Sequence, residues 1–112
     1  MKFVDSSDDV RIAVYEEGDP EGPPLVLAHG WPDSHALWDG VVPLLADRFR
    51  IIRYDNRGAG RSSVPKPVRA YTMERFADDF AAVVADTSPG VPVHVLAHDW
   101  GSVGVWEYLS RP

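Results

Sequence analysis

The sequence predicts an α/β fold in which a mainly parallel, twisted sheet carries helices on both faces. Two observations lead to this prediction. Short continuous apolar runs alternate along the chain with segments of helical periodicity, and an opening segment instead alternates apolar with polar or small residues. Strands buried on both faces need helices on either side and right-handed crossovers, whereas the alternating segment is typical of a half-buried hairpin strand.

The chain opens with a predicted β-hairpin. Val10, Ile12 and Val14 recur at every second position, which is the period of a half-buried strand, and residues 2–5 can pair beside them. The polar run of residues 6–9 supplies the turn between the two strands.

Three continuous apolar runs predict buried strands. They cover residues 25–28, 49–54 and 93–97, and the first follows a glycine- and proline-rich turn. In a parallel sheet the loops that leave these strands meet at one edge, where ligands bind. We therefore expect function at that edge.

Helices are predicted between and after these strands. Apolar residues between 37 and 45 keep helical spacing, although Pro43 should begin a fresh turn or kink the segment. Thr72 can cap a clearly amphipathic helix over residues 73–84, and residues 101–110 can form another helix. Four aromatic residues are spaced as core residues: Trp38, Phe76, Phe80 and Trp106.

Composition excludes several classes of protein. The chain has 112 residues, 45% of them hydrophobic and 25% charged, which is typical of one globular domain. Its formal net charge is −6 and its Lys and Arg residues are scattered, so we expect no nucleic-acid partner. There is no cysteine, no apolar leader and no membrane-spanning segment, so we expect a cytoplasmic protein without metal or cofactor.

The strongest chemical signal is Ala97-His98-Asp99-Trp100-Gly101, which lies between a predicted strand and a predicted helix. Small residues flank a strained turn whose central residue is presented as a nucleophile, here the carboxylate of Asp99. A carboxylate is ionised at neutral pH and needs no base to attack an electrophilic carbon. The alternative interpretation is that Asp99 is only the N-cap of the following helix.

The loop after the first buried strand, His29-Gly30-Trp31-Pro32, predicts a site for an oxyanion. Gly30 allows a close backbone approach, Pro32 turns the chain away, and Trp31 offers a free backbone N–H. Together with the N–H of Trp100 this makes two donors, as an oxyanion hole requires. The alternative is an ordinary Gly-Pro turn.

The loop of residues 55–60 supports the same edge structurally. Asp55 and Arg57 are expected to tie the loop together, and Gly58 and Gly60 to adopt backbone angles closed to other residues. A dinucleotide-binding interpretation is disfavoured, because a serine replaces the third glycine of that fingerprint and prolines follow where a helix should begin.

Taken together, HGWPDS, YDNRGAGRS and AHDWGS resemble the α/β-hydrolase superfamily, and HGWP with HDWG is similar to its epoxide hydrolase branch. The resemblance covers almost the whole chain. It implies that Asp99 opens a small apolar epoxide or related electrophile to give an ester. A water activated by histidine then attacks that ester, whose oxyanion is held by the amides of Trp31 and Trp100, and tyrosines of a cap protonate the epoxide oxygen.

The same resemblance implies that part of the catalytic machinery lies elsewhere. In this family the acid and the histidine follow the nucleophile, yet no histidine follows Asp99. We therefore expect residues 1–112 to be the N-terminal part of a single α/β-hydrolase domain, without the cap and the C-terminal catalytic half, and inactive alone. Some relatives carry a fused C-terminal dehydrogenase domain, on which no residue here bears.

Two alternatives to epoxide hydrolysis remain open. In a haloalkane dehalogenase Asp99 would displace halide and the Trp100 indole would bind it, but many dehalogenases resemble one another in carrying Asn where this chain has Trp31. A serine esterase is disfavoured, because Ser102 lies a turn beyond the elbow. A non-catalytic ligand-binding or interaction module would explain the absent histidine but not a strained carboxylate.

Overall fold

The computed structural model describes residues 1–112 and contains one five-stranded mixed sheet. Its strands are β1 (Lys2–Asp5), β2 (Arg11–Gly18), β3 (Pro24–Ala28), β4 (Arg50–Tyr54) and β5 (His94–Ala97). They lie in the order β1-β2-β4-β3-β5, with β4, β3 and β5 parallel and the β1–β2 and β2–β4 pairs antiparallel. The α/β class is confirmed. Only β4, β3 and β5 pair in parallel, and their carboxyl ends lead to the site described below.

The opening hairpin is confirmed, but β2 is longer than the alternation of apolar residues predicts. Glu16 and Glu17 interrupt that pattern, yet both remain in the strand because β4 presents arginines to them. Arg50 Nη1 lies 2.6 Å from Glu16 Oε1, and Arg53 Nε lies 2.7 Å from Glu17 Oε2. Cross-strand ion pairs of this kind stabilise a pairing that hydrophobic periodicity alone does not reveal.

Three α-helices and two single turns of 3-10 helix connect the strands. The helices are α1 (Val42–Leu45), α2 (Met73–Thr87) and α3 (Trp100–Leu109), and the 3-10 turns are His35–Trp38 and Val68–Tyr71. The segment around Pro43 is divided as expected, with the proline in the first turn of α1. Thr72 caps α2 by accepting a hydrogen bond from the backbone N–H of Arg75. None of these helices has the length and apolar character needed to span a bilayer.

Helices cover both faces of the sheet, so the core has two halves. On one face α2 and α3 pack against the sheet, and the core there includes Ile12, Val26, Ile52, Phe80 and Val105. On the other face α1 and the first 3-10 turn pack against the sheet, and the core there consists of Leu25, Leu27, Trp38, Val42 and Ile51. Trp38 and Phe80 are thus core residues, as their spacing predicts.

Burial of residues 93–97 and of Trp106 is expected in a complete domain, whereas for residues 1–112 alone we expect an uncovered outer edge on this strand, and the observed exposure agrees with the second expectation. The strand β5 is exposed rather than buried, with Val95 38% and Leu96 41% exposed, and Trp106 on α3 is 69% exposed. The reason is that β5 has only one neighbouring strand, β3, so its other side carries no pairing partner. Phe76 is half-buried and lines the cleft described below.

Candidate active site

The loops that follow β3, β4 and β5 meet at the carboxyl ends of these strands. Ala28 at the end of β3 is in register with Tyr54 on β4 and Ala97 on β5, so all three strands end at the same level. The loop after β3 contacts both others: His29 hydrogen-bonds with Asn56, and the main chain next to it contacts Asp99. The convergence predicted for parallel strands is therefore observed.

Asp99 occupies a strained backbone position between β5 and α3. Its φ is 56° and its ψ is −128°, a region that non-glycine residues rarely adopt. Its side chain makes no capping hydrogen bond to α3, so helix capping does not account for an aspartate here. Gly101 lets the turn close, since a Cβ at that position would overlap the carbonyl oxygens of Ala28 and His29.

The carboxylate of Asp99 is exposed and faces backbone N–H groups. The amide of Trp31 donates to Asp99 Oδ2 at 3.2 Å. The neighbouring backbone N–H of Trp100, and secondly the N–H of Trp31, lower the pKa of Asp99. The group is therefore ionised at neutral pH. Gly30 makes this approach possible, because a Cβ there would overlap the Asp99 side chain.

His29 links the loop after β3 to the loop after β4. Its imidazole is buried, with Nδ1 2.7 Å from the carbonyl oxygen of Gly30, and Nε2 accepts the backbone N–H of Asn56 at 2.9 Å. The Asn56 side chain in turn donates to the His29 carbonyl at 2.9 Å. Burial lowers the pKa of His29 and so favours the neutral ring. The Trp31–Pro32 peptide bond is cis.

Asp55 is the buried centre of the glycine-rich loop. Its carboxylate accepts hydrogen bonds from the backbone N–H and Nδ1 of His35, both at 2.8 Å, from the hydroxyl of Tyr15 at 2.9 Å and from the N–H of Arg61 at 3.1 Å. Burial acts to raise the pKa of Asp55, but these hydrogen bonds outweigh it and the pKa is lowered. The His35 and Tyr15 contacts were not foreseen, because the partners are distant in sequence.

Arg57 does not bond to Asp55 but ties the loop to other elements. Its fully buried guanidinium contacts both carboxylate oxygens of Asp79 on α2, at 2.9 and 2.7 Å, and contacts Asp8 in the β1–β2 turn at 3.0 Å. Burial raises the pKa of Asp79, and the pairing with Arg57 opposes that effect. Asp55 and Arg57 both hold the loop in place, as expected, but they do so through different partners: Asp55 through His35 and Arg61, and Arg57 through Asp79 and Asp8.

The glycines of this loop serve a packing role. Gly58 and Gly60 have φ values of 85° and 49°, as their positions predict. A Cβ on Gly60 would overlap the Asp55 carboxylate. The concave side of the loop is thus filled by a carboxylate, which is the opposite of the environment that a phosphate group needs.

A cleft of about 1170 Å³ opens beside Asp99. Asp99 contacts Gly30 and Trp31, which belong to the wall of the cleft, and Trp31 is 77% exposed. The large apolar and aromatic side chains of its wall are Trp31, Leu37, Tyr71, Met73, Phe76 and Trp100. Such a wall suits an apolar small molecule. Tyr71 and Met73 precede or begin α2 and were not foreseen as part of the site.

None of the four histidines hydrogen-bonds to Asp99. His29 and His35 are engaged as described, and His94 on β5 lies edge-on to Phe49 with ring centroids 6.0 Å apart. His98 is exposed and precedes Asp99 in sequence. No group of three or more histidine and carboxylate side chains is arranged to hold a metal ion.

The chain belongs to the α/β-hydrolase family. The family model described as the alpha/beta hydrolase fold matches residues 23–112, which include the elbow and the two loops that face it. This agrees with the sheet order and with the position of Asp99 at the strand-to-helix turn.

Two curated relatives come from Mycobacterium tuberculosis. One, named "Probable oxidoreductase EphD", is 77% identical over 111 residues, which is 99% of this chain and 19% of that protein. The other, "Epoxide hydrolase A", is 38% identical over 106 residues, which is 94% of this chain and 32% of that protein. The chain therefore spans between about a fifth and a third of the length of these relatives.

Solved structures of hydrolases also superpose on the chain. Epoxide Hydrolase A from Mycobacterium thermoresistibile has a TM-score of 0.84 at 31% identity, with 96% of this chain and 33% of that chain covered. The esterase RhEst1 from Rhodococcus sp. ECU1013 has a TM-score of 0.88 at 32% identity, with 97% and 40% covered. The fold is thus shared by esterases and epoxide hydrolases, and the residues of the site must distinguish the two chemistries.

Proposed function

We propose that the protein containing residues 1–112 hydrolyses small apolar epoxides through a covalent ester on Asp99. The observation that carries the proposal is an ionised, exposed carboxylate in a strained elbow, where serine esterases place a hydroxyl. The amide of Trp31 lies 3.2 Å from its Oδ2 atom, on the side where negative charge would develop in ester hydrolysis. The similarity to epoxide hydrolases supports the same conclusion.

In the proposed reaction an Asp99 oxygen attacks one epoxide carbon, and the bond between that carbon and the epoxide oxygen breaks. An acid protonates the released oxygen, and the product is a hydroxyalkyl ester of Asp99. Water then attacks the ester carbonyl, and the resulting oxyanion accepts hydrogen bonds from the amides of Trp31 and Trp100. Collapse of this intermediate releases the diol and restores the carboxylate. The acid, the base and the rest of the domain would follow Asp99 in sequence, as the family order implies.

The oxidoreductase name of the 77% identical relative does not transfer to residues 1–112 under this proposal. That name describes a protein of which this chain matches 19%. A nicotinamide cofactor needs a glycine loop that accepts a pyrophosphate, whereas the loop here packs around Asp55. Any oxidoreductase activity would then reside outside the matched segment.

Substitution of Asp99 by Asn tests the proposal in the natural gene product. We expect Asp99→Asn to abolish both epoxide turnover and the covalent ester, because an amide is a far weaker nucleophile in the same position. The ester is detected by mass spectrometry after acid quenching with a styrene-type epoxide. In a single turnover in H₂¹⁸O, the heavy oxygen should appear in the Asp99 carboxylate rather than in the diol, since water attacks the ester carbonyl.

The matched control is Asp47→Asn, which changes an exposed aspartate between α1 and β4 and should leave turnover unchanged. Persistent turnover and ester in Asp99→Asn, without deamidation of the new side chain, would refute the nucleophile assignment. Halide release from haloalkanes by a protein that ignores epoxides would instead favour dehalogenation, with the Trp100 indole at the cleft wall as halide donor.

A further inference from the structure

The His29 side chain connects the loop after β3 to the loop after β4. The side chain is 1% exposed, and both ring nitrogens are engaged, one by the carbonyl of Gly30 and the other by the backbone N–H of Asn56. Gly30 touches the Asp99 side chain, and the next residue, Trp31, donates its amide to Asp99. His29 therefore lies two positions before Trp31, whose amide the proposed function uses as an oxyanion donor.

Only one state of the imidazole satisfies both contacts. Nδ1 must carry a proton to donate to the Gly30 carbonyl, and Nε2 must be unprotonated to accept the N–H of Asn56. A doubly protonated ring would place an N–H of His29 against an N–H of Asn56, so the link between the two loops would break.

Resting on the proposed function, we propose that His29 is a positioning residue that holds the Trp31 amide against Asp99, and that protonation of its imidazole releases this amide. The reaction would then require a neutral His29 although this ring never contacts the substrate. Its role would be to keep one oxyanion donor in place during ester hydrolysis.

The surroundings of His29 determine the direction of its titration. Burial is the largest influence and lowers its pKa below the ordinary 6.5. The hydrogen bond to the Gly30 carbonyl, and then Asp55 and Asp33, act to raise it, and His35 acts to lower it. A histidine whose pKa is lower in the folded state stabilises the fold fully above pH 6.5 and loses that contribution as the pH falls below 6.5. Detachment of the loop is therefore expected on the acid side.

Two substitutions separate positioning from mere filling of space. In His29→Gln the amide oxygen can accept the Asn56 N–H in place of Nε2, and nothing titrates. In His29→Asn the side chain is too short to reach Asn56. We expect His29→Gln to hydrolyse the Asp99 ester within about threefold of the wild-type rate. We expect His29→Asn to hydrolyse it roughly tenfold or more slowly and to accumulate ester, short of the 10²–10³-fold cost of removing an oxyanion donor.

A direct readout of the amide does not depend on activity. The gene product is labelled with ¹⁵N-tryptophan, the Trp31 amide is assigned with Trp31→Phe, and its shift is followed from pH 8 to pH 4. In the wild type the Trp31 amide should shift with the same midpoint as the His29 ring. In His29→Gln this transition should vanish, and in Asp99→Asn it should remain.

Three results would overturn the inference: a Trp31 amide that does not follow the His29 ring, a ring that stays neutral down to pH 4, or an ester that His29→Asn hydrolyses at the wild-type rate. If no variant forms an ester and epoxide is not consumed, the proposed function fails instead. The Trp31 titration would then still decide whether His29 controls the position of this amide.

Discussion

Gly30 determines how closely the two halves of the site approach each other. Its missing side chain leaves room for Asp99, which lies against it from the neighbouring loop, and the amide of the following residue reaches the carboxylate. The site therefore depends on the missing side chain of Gly30 as much as on the carboxylate of Asp99. This can be tested by adding a single methyl group.

Gly30→Ala should separate the Trp31 amide from Asp99, because the new Cβ would overlap the Asp99 side chain. We expect ester formation and hydrolysis to slow by roughly tenfold or more, since displacements of about 1 Å cost up to about 10²-fold, and the free energy of unfolding to fall by about 1–3 kcal/mol. The control is Gly40→Ala, at a position where an added Cβ meets nothing within 4 Å. Ester kinetics and urea unfolding that match between the two variants would contradict this account.

At this scale the sequence predicts glycines well and side-chain partners poorly. Gly58, Gly60 and Gly101 could be assigned because a strained or crowded turn requires glycine at a definite place in a local pattern. The partners of His29 could not be assigned, because Asn56 reaches it only once β3 and β4 have paired. Local backbone geometry can be predicted from neighbouring residues, whereas long-range hydrogen bonds depend on the finished fold.

Among the elements, α2 is joined to the loop after β4 by the buried pair of Arg57 and Asp79. Both side chains are fully buried, and their remaining hydrogen-bonding capacity is used: Ser6 donates to Asp79 at 2.7 Å, and Arg57 donates to the carbonyl of Ala70 at 2.9 Å. A buried ion pair is costly to desolvate, so it persists only when every group is satisfied. One carboxylate thus connects three segments of the chain.

Asp79→Asn should strongly destabilise the protein, because it leaves the buried Arg57 charge without its bidentate partner. We expect the free energy of unfolding to fall by about 3–5 kcal/mol in urea titrations of the gene product. Asp86→Asn on the exposed side of the same helix removes a pair with Lys2 and should cost less than about 1 kcal/mol. If both variants lost the same free energy of unfolding, the buried pair would contribute no more to stability than the exposed one.

The elements themselves were predictable where one local signal dominated. Thr72 and the apolar period of α2 identified that helix, and Pro43 marked where the preceding helical segment divides. The extent of β2 could not be predicted, because Glu16 and Glu17 become strand residues only through the arginines of β4. Charge pairing across a sheet leaves no trace in hydrophobic periodicity.

Over the whole molecule, one patch of exposed apolar side chains lies on β5 and the outer side of α3. Val95, Leu96, Trp106 and Leu109 are all exposed, and a groove of about 540 Å³ runs between these two elements. An apolar run predicts that a strand is suited to burial, but it does not reveal what lies beside that strand. The exposure of β5 is therefore predicted by the family resemblance, which implies a further strand beside it, and not by the apolar run itself.

Residues 1–112 expressed alone should associate, because the open edge of β5 is apolar and offers unpaired backbone groups. We expect light scattering above the monomer value, strong binding of a hydrophobic dye and weak near-ultraviolet dichroism. Val95→Lys should reduce association, since lysine on an edge strand opposes pairing. Val68→Lys, at an exposed position in the second 3-10 turn, should not. A monodisperse monomer with a sharp melt would contradict the prediction.

The order of the strands also affects how the chain can fold during its synthesis. The strand β3 lies between β4 and β5, and its partner on one side, β5, is roughly 70 residues further along the chain. At about 5–20 residues per second, a ribosome needs roughly 4–14 s to add that length. For that interval Leu25–Ala28 has an apolar edge with no strand to pair with, so the nascent chain offers chaperones a binding segment before Asp99 has been made.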